Sequence, residues 1–173
     1  MVMAEKGEKF TVGLVVNNHY GVLNRVTGLF SKRGYNIDSL AVGETENPAY
    51  SRITIVCTGD EYMREQVVRQ LEKLHDVIQV VLFDDKAAVS SEHLLIKINV
   101  AAESKAAISE MINRYGGKVR DFGADFITAE ITAESAGVDL FIEAARSFGI
   151  LELCRSGALA MSHGREFMLK VFE

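Results

Sequence analysis

Apolar and polar positions alternate from Phe10 to Asn17: Phe10, Val12, Leu14 and Val16 point one way, Thr11, Gly13, Val15 and Asn17 the other. A period of two predicts a strand with one face in a core. After the turn-forming run Asn18-His19-Tyr20-Gly21 the period changes. Val22, Val26, Leu29 and Phe30 recur at helical spacing, and Lys32, Arg33 and Gly34 suit the negative end and C-cap of that helix. Residues 36–44 and 51–58 read as two strands joined by a turn at Asn47-Pro48. Asp60 is placed to cap a second helix with an apolar stripe of Met63, Val67, Leu71 and Leu74 and a Glu65–Arg69 pair on its wet side. Val77 to Phe83 reads as a further strand.

The same order then returns. Leu94, Ile96, Ile98 and Val100 alternate as a strand, and Ile108, Met111, Ile112 and Tyr115 form a helical stripe ended by Gly116-Gly117. Residues 118–123 and 126–132 read as a hairpin. Val138, Phe141, Ile142, Ala145 and Phe148 make a second stripe ended by Gly149, and 150–161 is a last strand. The apolar tail, with Phe167, Met168, Leu169, Val171 and Phe172, is expected to pack or to continue a strand. The fold class expected is therefore α+β: two ferredoxin-like βαββαβ units, each an antiparallel sheet with two helices on one face. The units span 9–84 and 93–173, with the polar, aperiodic stretch 85–92 as a linker. The outer sheet face, expected to carry Val15, Val56, Val81, Phe83 and Leu95, needs water or a cover, and a partner chain is the cover expected.

Composition narrows the function. The 173 residues carry a net charge of −5, which disfavours a polyanionic partner. The βαββαβ order is shared with RNA-binding domains, but the third strand, Arg52 to Cys57, lacks the aromatics on which bases would stack. No phosphate-binding glycine loop, zinc-protease or nucleophile-elbow motif occurs. His19, His75, His93 and His163 share no metal-ligand spacing. Asp84-Asp85 reads as a solvated turn rather than an acid–base pair. Cys57 and Cys154 read as buried thiols of a reducing compartment. The N-terminus resembles neither a signal peptide nor an Arg-rich transit peptide, and no apolar run is long enough to span a bilayer. A cytoplasmic protein without a catalytic site, metal or cofactor of its own is expected.

The informative stretch is Asn17 to Arg25, where a strand passes through a short loop into a helix. Unpaired N–H groups at a helix start suit a carboxylate. Gly21 lets a ligand approach the backbone, and the Asn18 amide both gives and accepts hydrogen bonds. Those are two of the three things a free amino acid needs: an anion site, an ammonium acceptor and a shaped apolar pocket. A plain turn accounts for Asn18 and Gly21 as well.

The run from Arg25 to Leu40, with Gly28-Leu29-Phe30-Ser31 and Arg33-Gly34-Tyr35-Asn36-Ile37, followed by Ser51-Arg52-Ile53-Thr54-Ile55 and later by Arg155-Ser156-Gly157, resembles the small regulatory subunit of acetolactate synthase (acetohydroxyacid synthase), whose first unit is an ACT domain. The resemblance covers nearly the whole chain and departs at Tyr20-Gly21-Val22, where small residues are common. It implies a non-catalytic subunit of branched-chain amino-acid biosynthesis. Such a subunit activates a separate catalytic chain and mediates feedback inhibition by valine, or by leucine or isoleucine. Thiamine diphosphate, Mg and FAD would belong to that catalytic partner alone. Two ACT domains would pair into one sheet as a homodimer or higher oligomer. Asn18, Gly21, Val22 and Leu23 of one chain and Asn36 and Ile37 of the other would line the effector site. The resemblance further implies that the amides of Val22 and Leu23 take the carboxylate. Asn18 and a carbonyl near Asn36 or Ile37 take the ammonium, and Ile37 and Leu23 flank the side chain. A free-standing ACT-type sensor or transcriptional regulator is the alternative, and a metal-binding or enzymatic ferredoxin-like domain a third.

Overall fold

A computed structural model describes residues 7–84, 87–101, 103–166 and 168. Two four-stranded antiparallel sheets each carry two helices, in the order β1 (Glu8–Asn17), α1 (Val22–Arg33), β2 (Ser39–Glu44), β3 (Tyr50–Gly59), α2 (Glu61–Leu71), β4 (Val77–Phe83), then β5 (Ala88–Asn99), α3 (Lys105–Arg114), β6 (Lys118–Phe122), β7 (Phe126–Ala133), α4 (Ser135–Arg146) and β8 (Ile150–Ser162). The spatial orders are β2-β3-β1-β4 and β6-β7-β5-β8. Both units are thus the βαββαβ arrangement that the change of period from two to 3.6 and back prescribes.

In the first sheet β1 is central, antiparallel to β3 on one side and β4 on the other, with a bulge in the β4 ladder between Val15 and Val16. Strand residues of one parity (Phe10, Val12, Leu14, Val16, Ile53, Ile55) meet Val22, Val26, Leu29 and Phe30 of α1 and Val67 and Leu71 of α2 in one core. Helix α1 ends on Gly34 in the left-handed conformation, after Lys32 and Arg33. Helix α2 begins on Asp60, whose side chain accepts the Met63 N–H at 2.7 Å. Removing that cap in Asp60→Ala is expected to lower stability by about 1 kcal/mol in urea unfolding.

In the second unit Leu94, Ile96 and Ile98 of β5 and Ile127, Ala129 and Ile131 of β7 pack on Ile108, Ile112, Val138, Phe141, Ile142 and Ala145. Glu92, only 4 % exposed, sits at the start of this apolar row. Arg155 on β8 grips it with two bonds, Nε to Oε1 at 2.6 Å and Nη2 to Oε2 at 2.8 Å, and reaches Asp139 of α4 through Nη1 at 2.7 Å. The Arg155 hydrogen bonds hold the Glu92 carboxyl below the usual carboxylate range against the opposing effect of burial, and Glu92 in turn raises the already basic Arg155. Ser156 accepts the His93 N–H at 3.0 Å, so the Arg155-Ser156 pair ties the outer strand to β5 and α4.

Four expectations change. The stretch expected as a linker is strand from Ala88 onward, since β5 begins four residues before its pairing with β7 starts at Glu92. Strand β2 starts at Ser39, not at residue 36. The outer face of the first sheet is covered in part by the chain itself. Ala160, at the end of β8, and Met168 bury Val15 and Phe83, which are 1 % and 7 % exposed. Accordingly the described residues up to Val89 group with those from Leu159 onward, and Ser90–Ala158 form the second unit. A Cβ at Gly13 would lie 2.6 Å from the Phe83 ring, which explains a glycine inside β1. Val15 and Phe83 therefore give no reason to expect a partner. Finally, Cys57 is buried, and burial together with Asp38 pushes its thiol up to about 12, whereas Cys154 is exposed on β8. Of the tail, Met168 packs as expected; Phe167, Leu169, Val171 and Phe172 lie outside the described residues.

Candidate functional site

The loop from Asn17 to Gly21 is held from both sides. The Asn17 N–H donates to the Asp76 carbonyl at 2.9 Å and the Asn18 N–H to the Ala49 carbonyl at 2.8 Å, so neighbouring connections of the sheet fix its path. Gly21 closes the loop at φ +85°, a left-handed backbone that residues with a Cβ adopt only under strain. It is also the N-cap of α1, and α1 consequently has no side-chain cap. The Arg25 N–H donates to the Gly21 carbonyl at 3.1 Å as the first helical bond, and the Val22 N–H donates a long 3.4 Å bond to the His19 carbonyl. The amides of Leu23 and Asn24 fall in the first turn, where a helix has no acceptor of its own to offer; the Val22 amide, expected to take a carboxylate together with that of Leu23, already has the His19 carbonyl, and Asn24 stands in its place.

The Asn18 side chain is exposed, and its Nδ2 donates to Glu44 Oε1 at 3.1 Å and to the Pro48 carbonyl at 2.9 Å. Its Oδ1 is thereby left as an acceptor, while the Glu44 carboxylate lies on the Nδ2 side of the same amide. Glu44 ends β2, the outer strand of the sheet. Val22 is 4 % exposed and its side chain belongs to the core, so only its backbone faces the loop. Leu23 is 41 % exposed and open to a ligand.

The other two candidate residues lie elsewhere in the same chain. Asn36 is exposed, with its Nδ2 on Asp38 Oδ1 at 2.7 Å, and Ile37 is half-buried against the core. They follow the C-terminal end of α1, whereas Asn18 to Leu23 surround its start; a 12-residue helix separates the groups, a rise of roughly 18 Å. One chain does not bring the six residues together.

A charged cluster that the sequence reading did not single out adjoins the loop. Asp76, 8 % exposed, accepts His19 Nε2 at 3.0 Å and Arg25 Nε at 2.6 Å. Burial raises its carboxyl, but hydrogen bonds and charge from Arg25 and His19 outweigh this and hold it below the usual carboxylate range. Asp76 is 51 residues from Arg25 and comes to it only through the α2–β4 turn, so no local spacing announces it. The same holds for Glu44, which meets Asn18 through sheet pairing.

Among the described residues, no three His, Cys, Asp or Glu side chains gather closely enough to hold a metal ion. No helix among them is long and apolar enough to cross a membrane.

Two family models match the chain: the AHAS small subunit-like ACT domain over residues 13–79, and the small subunit of acetolactate synthase over residues 91–164. The acetolactate synthase small subunit of Methanothermobacter thermautotrophicus is 40% identical over 158 residues, 91% of this chain and 94% of that relative. That of Bacillus subtilis is 38% identical over 159 residues, covering 91% and 92%. The crystal structure of the small subunit from Thermotoga maritima matches with a TM-score of 0.84 at 33% identity, over 92% of this chain and 99% of that one. Units of the right order, a helix start left open at Gly21 and relatives matched along almost their full length lead to one conclusion: the chain belongs to the acetolactate synthase small-subunit family.

Proposed function

We propose that this chain is the regulatory subunit of an acetolactate synthase: it binds a branched-chain amino acid, valine foremost, and through it activates and feedback-inhibits a separate catalytic subunit. The catalytic subunit would hold thiamine diphosphate, Mg and FAD. The observation that carries the proposal is the start of α1, which has Gly21 in place of a capping side chain and Leu23 and Asn24 amides without helical acceptors. A carboxylate on those amides, an ammonium against Asn18 Oδ1 and Glu44, and a branched side chain against the exposed Leu23 meet the three needs of the ligand.

The remaining wall, Asn36 and Ile37, comes in this reading from a second copy. Strand β2 is at the sheet edge, and an edge strand is a template for pairing. Two β2 strands paired antiparallel about a two-fold axis set the beginning of one beside the end of the other. The end, Glu44, is where Asn18 is held; the beginning, Ser39, follows directly on Asn36 and Ile37. Ligand and dimer are then coupled, since each stabilises the arrangement the other needs.

A thermal-shift screen of the twenty amino acids tests the assignment. Valine at ten times its Kd should add about 1.4 kcal/mol, a rise in Tm of roughly 3–6 °C for a chain of this size, while aspartate and lysine should add nothing. The chain should also co-purify with a larger thiamine-diphosphate-dependent synthase and raise its activity. A flat screen would remove the effector site from the proposal.

A further inference from the structure

We infer that Arg25 is a carboxylate-binding residue of the effector site and that Asp76 is the positioning residue that aims it. The inference rests on the effector reading above and names two residues that reading does not use.

Arg25 is four residues beyond Gly21, one helical turn along α1, and side chains on a helix lean toward its N-terminus. The guanidinium therefore returns to the helix start. A Cβ built on Gly21 would lie 3.4 Å from Arg25 Nη1, which puts this atom directly over the residue that caps the helix. Asp76 holds the group by Nε alone, through Oδ2 at 2.6 Å. The Nη edge meets no acceptor among the described residues and is left for another. The second oxygen of Asp76 takes His19 Nε2 at 3.0 Å, and its backbone carbonyl takes the Asn17 N–H at 2.9 Å. One buried residue thus fixes the start and the middle of the loop and the direction of the guanidinium. An anion placed on the Leu23 and Asn24 amides would meet the Nη edge as well, and guanidinium fits a carboxylate better than a point charge does. Asp76 partly neutralises Arg25, so the site recognises an anion without carrying a full positive charge when empty.

Calorimetry on the full chain with L-valine and with L-valinamide, which keeps the ammonium and side chain but loses the negative charge, separates this role from a structural one. The wild type should prefer valine at least about fivefold, and Arg25→Gln should lose most of that preference by weakening valine with valinamide unchanged. Arg25→Lys should restore part of it. Asp76→Asn should lower the preference in the same direction, whereas a clamp that merely shapes the loop would weaken both ligands equally. Where Asp76→Asn does not fold, Arg25→Gln, altering a half-exposed side chain, still decides the matter. A preference for valine retained in Arg25→Gln overturns the inference and leaves the effector reading intact. A wild type that takes neither ligand overturns the effector reading first, and this inference with it.

Discussion

Replacing Glu92 by alanine is expected to destabilise the second unit by about 3 kcal/mol at neutral pH. The carboxylate is 4 % exposed and takes two hydrogen bonds from Arg155. Its removal strands a guanidinium against an apolar row, because Leu94, Ile96 and Ile98 continue from Glu92 along β5. The lower end of the range for broken buried pairs applies, since the Arg155 side chain is 33% exposed and keeps Asp139 at 2.7 Å. The pH dependence has a definite sign. The folded-state pKa of Glu92 is depressed by Arg155, so the pair's contribution is complete above the unfolded value of about 4.3 and is lost as pH falls through the lower folded value. Urea unfolding at pH 7 should show the full deficit of Glu92→Ala. The gap to the wild type should narrow steadily as the titration is repeated toward pH 3. A deficit below 1 kcal/mol at pH 7, or one that widens in acid, would contradict the assignment.

The Gly21→Asp variant is expected to lose valine affinity by at least about tenfold, which is 1.4 kcal/mol. Two effects combine. The backbone at φ +85° accepts a Cβ only at a cost of about 1 kcal/mol, which lowers stability in the free and bound protein alike. The new side chain starts from a Cβ 3.4 Å from Arg25 Nη1, so its carboxylate would pair with the guanidinium and stand in the place proposed for the ligand's own carboxylate. Gly21→Ala shares the backbone cost without the charge and should retain more affinity. Calorimetry on both folded variants separates strain from competition. Equal valine binding by Gly21→Asp and the wild type would show that the ligand sits elsewhere.

Much of the architecture is legible in the sequence alone. The alternation from Phe10 to Val16 and the stripe Val22, Val26, Leu29 and Phe30 are local statements about which face is apolar, and local periodicity is what secondary structure transmits. The same is true of the Asp60 cap, the Gly34 terminator and the repeated βαββαβ order, all of which the structure contains. Gly21 was legible as a place for close approach because only the absence of a Cβ permits it. Its left-handed backbone adds a second reason.

Other features depend on residues distant in sequence and were decided only by tertiary packing. Residues 88–92 have no apolar alternation of their own, yet β5 runs through them. Val15 and Phe83 looked like a face awaiting a partner until Ala160 and Met168 returned to cover them. Cys154 is in an apolar run yet exposed, on the edge strand of its sheet. The Asp76 contacts to His19 and Arg25 join positions on opposite sides of the first unit's sequence. A charge pair of that kind has no period and no spacing: its partners are chosen by where the chain folds back, and only the three-dimensional path brings them within hydrogen-bond reach.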